Sequence, residues 1–165
     1  FFQSKLYQQQ ENSLILHIKF MVVEGKSGRK SDKMEIIKVT GAIITFKNQF
    51  LICRRGPNEK AAGFWEFPGG KIEKNETEKE CIKRELKEEL NINAVVGNLY
   101  DQYLYKSTNV AYNLSFFIIK KYKGNMVKTV HDNIKWVNLV DLDNYTFLPG
   151  DEPLIQKIKN DEKFH

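Results

Sequence analysis

Residues 67–92 read FPGGKIEKNETEKECIKRELKEELNI, and the second half of that stretch is the clearest helix in the chain. Thr77 can cap its start, with Glu80 three residues on as the reciprocal partner. The spacing predicts a helix over Thr77–Leu90. At about 100° per residue, Ile82, Leu86 and Leu90 form one stripe that must face a core. Glu85, Glu88 and Glu89 fall on an adjacent arc at i, i+3 and i+4, centred near Cys81, with Lys83 and Lys87 opposite. Like charges at this spacing repel, so helix stability alone does not select the arrangement. A divalent cation supplies the missing counter-charge, because hard ions such as Mg²⁺ take carboxylate oxygens and act with substrate phosphates. The helix taken by itself also permits a solvated acidic face paired with Lys. The residues just before it shift the balance. Pro68-Gly69-Gly70-Lys71 sets two glycines, where backbone can approach an ion closely, beside a cation suited to phosphate.

Working outward, the flanks are rich in strand patterns. Ile36–Thr45 reads as a buried strand, Lys47-Asn48 as a turn and Gln49–Arg54 as a second strand, which together predict a hairpin. A loop, GPNEKAAG, leads to the short apolar run Phe64-Trp65-Glu66-Phe67. After the acidic helix come strands near Val95–Tyr105 and Asn113–Tyr122, and a short one at Ile134–Val137. Asp151 can cap a last helix, with Pro153 in its first turn, running to about Asn160. Strands bracketing two helices indicate a mixed α/β domain. At the front, 1–13 is polar and Gln-rich, Leu16–Val22 alternates as a strand can, and Glu24–Lys33 has linker composition. The expected division is an N-terminal extension over 1–33, poorly ordered and of little catalytic relevance, and a domain over 34–165 that begins at Met34.

Composition bounds these readings. The chain has 165 residues with 41% hydrophobic and 28% charged, enough apolar content for a packed core. Ten Gly, four Pro and two Cys exclude collagen-like and disulfide-scaffold classes. Cys53 and Cys81 read as reduced core thiols. No apolar run reaches the length of a membrane helix, and no secretion signal is visible, so a cytoplasmic protein is expected. The net charge is +5, yet 1–33 holds six bases against three acids and the other residues twenty against eighteen. The basic balance is therefore largely a property of the extension. No basic face with interleaved aromatics marks a nucleic-acid partner; Lys26, Arg29, Lys30 and Lys33 read as a solvated linker. An arm that did bind DNA there would show steeply salt-dependent retention.

Gly70, Glu76 and the run Arg84-Glu85-Leu86-Lys87-Glu88-Glu89-Leu90-Asn91-Ile92 resemble the Nudix box, a highly specific 23-residue pattern spanning Gly70 to Ile92. One position departs: Asn91 stands where the family has glycine, and Asn tolerates the left-handed conformation of a helix stop. Ile52-Cys53-Arg54-Arg55, Trp65 to Gly70, and Leu148-Pro149-Gly150-Asp151-Glu152-Pro153 extend the likeness to MutT-type nucleoside triphosphate pyrophosphohydrolases, over about Glu35 to Ile158. The resemblance implies the Nudix α/β/α sandwich, a mixed β-sheet between helices. It implies Mg²⁺-dependent cleavage of an oxidised nucleoside triphosphate such as 8-oxo-dGTP to monophosphate and pyrophosphate, with Mn²⁺ as a possible substitute ion. Carried over residue by residue, it implies Glu85, Glu88 and Glu89 as metal ligands, one of them also orienting or deprotonating the attacking water, and the carbonyl of Gly69 as a further ligand. Arg84 would pair with Glu76, Lys71 and Arg55 would face phosphates, Phe67 would pack on the nucleoside, and Asp151 would read the base.

Two further departures matter. Val130 occupies the place of a glutamate that family members often supply before a tryptophan; Asp132 could substitute two residues out of register, and His131 reads as a structural loop residue. Asp151 replaces the Asn of the bacterial MutT pattern. An ionised Asp only accepts, which leaves 8-oxoguanine and cytosine nucleotides both open. A CTP, dCTP or nucleotide-sugar hydrolase is the alternative within the class. A Nudix scaffold that binds nucleotide without cutting it is the alternative outside it, favoured by Val130 and opposed by the intact E-x-x-E-E. The expected partner is the nucleotide, with no membrane and no nucleic acid, and the expected assembly is a monomer or weak homodimer.

Overall fold

The structure, a computed structural model, describes residues 34–165. The expectations for 1–33, the extension with its strand and linker, lie outside the described residues. Two short turns build the first half. Strand β1 (Glu35–Ile43) ends, Ile44 breaks the pattern, and β2 (Thr45–Phe46) turns through Lys47 and Asn48 into β3 (Gln49–Arg54). Both turn residues have positive φ, 48° and 62°, the geometry that matches hairpin twist. The hairpin is shorter than the sequence suggested. Only Thr45↔Phe50 and Phe46↔Gln49 pair across it, because β1 joins a different sheet.

Strands β4 (Trp65–Glu66) and β5 (Gly69–Lys71) precede helix α1 (Glu78–Leu90). Long strands β6 (Asn93–Lys106) and β7 (Val110–Lys123) follow, then β8 (Asn133–Asn138), a 3₁₀ turn over Leu139–Asn144, helix α2 (Glu152–Lys159) and a last 3₁₀ turn. One mixed sheet has the order β5-β1-β7-β6, with β1 and β7 parallel from Glu35↔Val110 to Ile43↔Ile118. The other is antiparallel, β3 sitting between β4 and β8 with β2 on its outer end.

Side chains alternate across these sheets with period two. Ala42, Ile44, Leu51, Cys53, Phe117 and Ile119 pack with Ile82, Leu86 and Leu90 of α1. Ile43, Phe50, Ile52, Leu114 and Phe116 pack with Leu154, Ile155 and Ile158 of α2. The two helices therefore cover opposite faces, an α/β/α sandwich. Each fully buried Leu or Ile contributes on the order of 1.5–3 kcal/mol of hydrophobic stabilisation, so α1 is fixed by its apolar stripe and its acidic arc is set at the edge of that layer. Among the described residues no helix is long and apolar enough to cross a membrane.

Candidate active site

The capping box at the start of α1 forms: the Thr77 hydroxyl accepts from the Glu80 N–H, and the Glu80 carboxylate accepts from the Thr77 N–H at 2.9 Å. Asn91 ends the helix at φ 56°, and its N–H bonds back to the Lys87 carbonyl at 3.1 Å. These two stops place Glu85, Glu88 and Glu89 on the last turns of α1, beside β5.

Arg84 ties the acidic residues together. Its Nε and Nη2 meet the two oxygens of Glu76 at 2.8 and 3.0 Å. Its Nη1 reaches Glu85 Oε1 at 2.8 Å and Glu88 Oε2 at 3.1 Å, and Nη2 also donates to the Lys71 carbonyl at 3.1 Å. Two-pronged guanidinium–carboxylate contacts are among the stronger polar contacts. Hydrogen bonding from Arg84 holds the Glu76 carboxyl down at about 2.

The glycines shape the other wall. The Gly69 N–H donates to Glu89 Oε2 at 3.1 Å. A Cβ on Gly70 would fall 2.1 Å from Glu85 Oε1, so the absence of a side chain is what admits that carboxylate. Beneath them, the Cys81 thiol accepts from the Thr40 hydroxyl at 3.2 Å and donates to the Lys71 carbonyl at 3.4 Å. Burial raises Cys81 to about 11 and Cys53 well above its ordinary range. Burial, then repulsion from Glu66 and Glu85, pushes the Glu89 carboxyl up to about 9, and burial also raises Glu85.

The loop before β8 straps onto the open end of α1. The Val127 N–H donates to the Leu90 carbonyl and the Thr129 N–H to the Glu89 carbonyl, each at 3.0 Å, and the Thr129 hydroxyl bonds the Glu88 carbonyl. This satisfies carbonyls that a helix end leaves without partners.

As they stand, no three His, Cys, Asp or Glu side chains among the described residues converge tightly enough to grip a metal ion; Arg84 spans Glu85 and Glu88 instead. The donor set nevertheless fits a hard divalent cation. It consists of oxygens only, and the burial and crowding that raise Glu85 and Glu89 are what a neighbouring 2+ charge offsets. Glu88, 58% exposed, can rotate away from Arg84 at little cost.

The model of the NUDIX domain matches residues 36–158, the whole sandwich with the acidic helix inside it. The chain belongs to this family. An Escherichia coli K12 protein named CTP pyrophosphohydrolase is 30% identical over 123 residues, 74% of this chain and 91% of that protein. The 8-oxo-dGTP diphosphatase of the same organism is 33% identical over 119 residues, 72% of this chain and 92% of the relative. The crystal structure of a MutT protein from Methanosarcina mazei Go1 superposes with a TM-score of 0.70 at 26% identity, covering 79% of this chain and 97% of that one.

Within this Nudix domain the remaining site residues take specific places. Lys71 is exposed on β5. Arg55 is already engaged: its Nη1 lies 2.7 and 3.0 Å from the two Glu66 oxygens, and Nη2 lies 3.5 Å from Glu59. Contact with a phosphate therefore requires it to share or exchange those partners. Phe67 is 4% exposed, stacked on Phe147 and edge-on to Phe116, so its ring belongs to the core rather than to an open platform. Asp151 does not cap α2 with its side chain. Its Oδ2 instead accepts the Phe67 N–H at 2.9 Å, and it sits buried at the head of the helix. Asp132 pairs with Arg54 at 2.8 Å rather than turning towards the helix glutamates, and Val130 is exposed. A cavity of about 570 Å³, lined by Tyr105, Tyr145, Phe147, Pro149 and Pro153, adjoins the aromatic group through Phe147; Glu85, Glu88 and Glu89 of α1 do not line it.

Sequence reasoning passed over Glu66 and read His131 as a structural loop residue, without the contact that joins the two. Glu66 stands between Arg55 and His131, and the buried imidazole of His131 lies near Glu89. Glu66 lies inside the Trp65–Gly70 run, but its neighbours along the chain give no sign of the ion pair. Only pairing of β3 with β4 brings it to Arg55.

Proposed function

We propose that this Nudix enzyme hydrolyses nucleoside triphosphates, oxidised ones such as 8-oxo-dGTP foremost, to nucleoside monophosphate and pyrophosphate in a Mg²⁺-dependent reaction. The observation that carries the reading is the Glu85–Glu88–Glu89 arc, with Glu85 and Glu88 held by Arg84 and Glu89 by the Gly69 N–H, in a domain whose relatives bear diphosphatase names. Glu85, Glu88, Glu89 and the Gly69 carbonyl would hold the ion. Bound there, it supplies charge neutralisation for the phosphates and a more acidic water. Arg84 fixes the carboxylates in register, and Lys71 supplies a cation at the exposed rim. A panel of 8-oxo-dGTP, dGTP, dCTP, 5-methyl-dCTP, CTP and ADP-ribose, read as pyrophosphate and monophosphate release with Mg²⁺, tests it. Absence of pyrophosphate from every triphosphate would return the chain to the binding-only reading.

Asp151 favours a second substrate. With one oxygen taken by the Phe67 N–H, the other would meet a base as a pure acceptor when ionised and as a donor when protonated. Burial pushes this carboxyl up to about 7, so the two forms exchange near neutrality. An acceptor suits the amino group of cytosine as well as the N–H edge of guanine, and one relative is named CTP pyrophosphohydrolase. For a base presenting N–H groups, kcat/KM of the wild type relative to Asp151→Asn is expected to rise about tenfold as pH passes upward through 7, the scale of one charge-assisted bond. A flat ratio between pH 5.5 and 8.5 removes Asp151 from base reading. Stability carries the opposite sign. With a native value above its ordinary one, Asp151 takes up a proton on folding. Its contribution is therefore full at low pH and lost as pH rises through about 7. In urea titrations the Asn variant gains on the wild type as pH climbs from the ordinary value of 3.8 to about 7, and the gain is constant above that.

A further inference from the structure

We infer that His131 is a positioning residue, its Nε2–H steadying the facing carboxylates of Glu66 and Glu89; the inference rests on the reading that Glu89 serves catalysis. The His131 side chain is 1% exposed. Its Nε2 lies 3.3 Å from Glu66 Oε1 and 4.0 Å from Glu89 Oε1. Each carboxylate is already held from another side, Glu66 by the Arg55 guanidinium and Glu89 by the Gly69 N–H. The imidazole faces both Oε1 atoms at once, and the Glu66 carboxylate, accepting at 3.3 Å, places the hydrogen on Nε2.

The ring is planted by its chain neighbours. Two residues before it, the Thr129 N–H bonds the Glu89 carbonyl at 3.0 Å; one residue after it, the Asp132 N–H bonds the Arg54 carbonyl at 3.1 Å. The strap on α1 and the end of β3 thus fix the imidazole from both sides. Its other nitrogen, Nδ1, is buried with no hydrogen-bond partner among the described residues. A residue that only filled space would do better as Leu, with no orphaned nitrogen to bury. The Nε2–H is the feature that an apolar filler lacks. Arg55, Glu66, His131 and Glu89 then form one connected chain from the end of β3 to the last turn of α1, ending on a residue of the acidic arc.

The full chain carrying His131→Leu, His131→Gln or His131→Asn provides the test. The amide of Gln reaches the place of the imidazole Nε2; that of Asn reaches only the place of Nδ1. Two quantities are measured: steady-state pyrophosphate release from dGTP and 8-oxo-dGTP with Mg²⁺, and Mn²⁺ affinity without nucleotide by electron paramagnetic resonance. The Leu and Asn variants are expected to lose about 10- to 100-fold in kcat, with KM within about twofold, and to bind Mn²⁺ more weakly, the scale seen when a partner behind a metal ligand is removed. Gln is expected to restore most of both. Leu matching the wild type in kcat and Mn²⁺ affinity overturns the inference, as does Gln failing alongside Leu when both melt like the wild type. Should Leu fail to fold, the Gln–Asn contrast decides by the same criteria. A wild type that releases no pyrophosphate overturns the hydrolase reading instead, and the Gln–Asn contrast in Mn²⁺ affinity still judges His131.

Discussion

Replacing Glu89 by Gln is expected to lower Mg²⁺-dependent pyrophosphate release on the order of 10²–10³-fold while raising the melting temperature of the chain in EDTA. The two effects have one cause. Glu89 is buried beside Glu66 and Glu85, and its carboxyl is pushed up to about 9 from an ordinary value near 4.5. At pH 7 the unfolded chain carries this group ionised and the folded chain carries it protonated. Folding therefore takes up a proton, and the cost grows as pH climbs from the ordinary value to the raised one. At pH 7 that gap corresponds to at most about 3 kcal/mol. Gln has the same shape, keeps an acceptor for the Gly69 N–H and carries no such cost. The stabilisation should vanish below about pH 4, where both states of Glu89 are protonated. Glu88→Gln is the control: at an exposed position it should lose turnover comparably and leave the melting temperature unchanged. A Glu89→Gln chain that melts lower than the wild type at pH 7 contradicts the electrostatic account; one that turns over normally contradicts the site.

The two adjacent glycines should fail in different ways. A Cβ on Gly69 would lie 2.1 Å from the Thr40 carbonyl oxygen and 2.9 Å from Gly41 Cα, at φ +155°. Those atoms are backbone of the central strand β1, which cannot yield without breaking its ladder to β7. Gly69→Ala is expected to cost about 3–5 kcal/mol, seen as a fall of roughly 10 °C in melting temperature or as insoluble expression. The three atoms nearest a Cβ on Gly70 all belong to the far end of the Glu85 side chain, which can rotate aside. Gly70→Ala is therefore expected to melt within about 3 °C of the wild type, in line with a small loss of packing, and to lose about 10²-fold in kcat as Glu85 leaves the arc. Equal unfolding by both substitutions would show that Gly70 serves the fold and not the carboxylate.

What the sequence disclosed follows the range of the forces involved. The limits of α1 were legible because each is set within a few residues: Thr77 with Glu80 at one end, Asn91 with Lys87 at the other. The turn at Lys47-Asn48 was legible for the same reason, but the partner of β1 was not. Alternation along a strand says which side chains share a face, not which strand lies alongside, and β1 runs parallel to β7, seventy-five positions away at Glu35↔Val110. Asp151 shows the same limit. Its position before α2 matches that of a cap, yet a backbone N–H 84 residues earlier takes its side chain. The network through Arg55, Glu66 and His131 has no periodic signature, since its members meet only after β3, β4 and the strap on α1 have closed around them.

The two sulfurs acquire a chemical meaning from their surroundings. Peroxide attacks a thiolate far faster than a protonated thiol, and with Cys81 raised to about 11, roughly one molecule in 10⁴ carries that thiolate at pH 7; Cys53 is further shielded. Neither buried thiol presents a ready nucleophile. A catalyst whose proposed substrates form under oxidative stress thus keeps its own cysteines inert when such damage is being made.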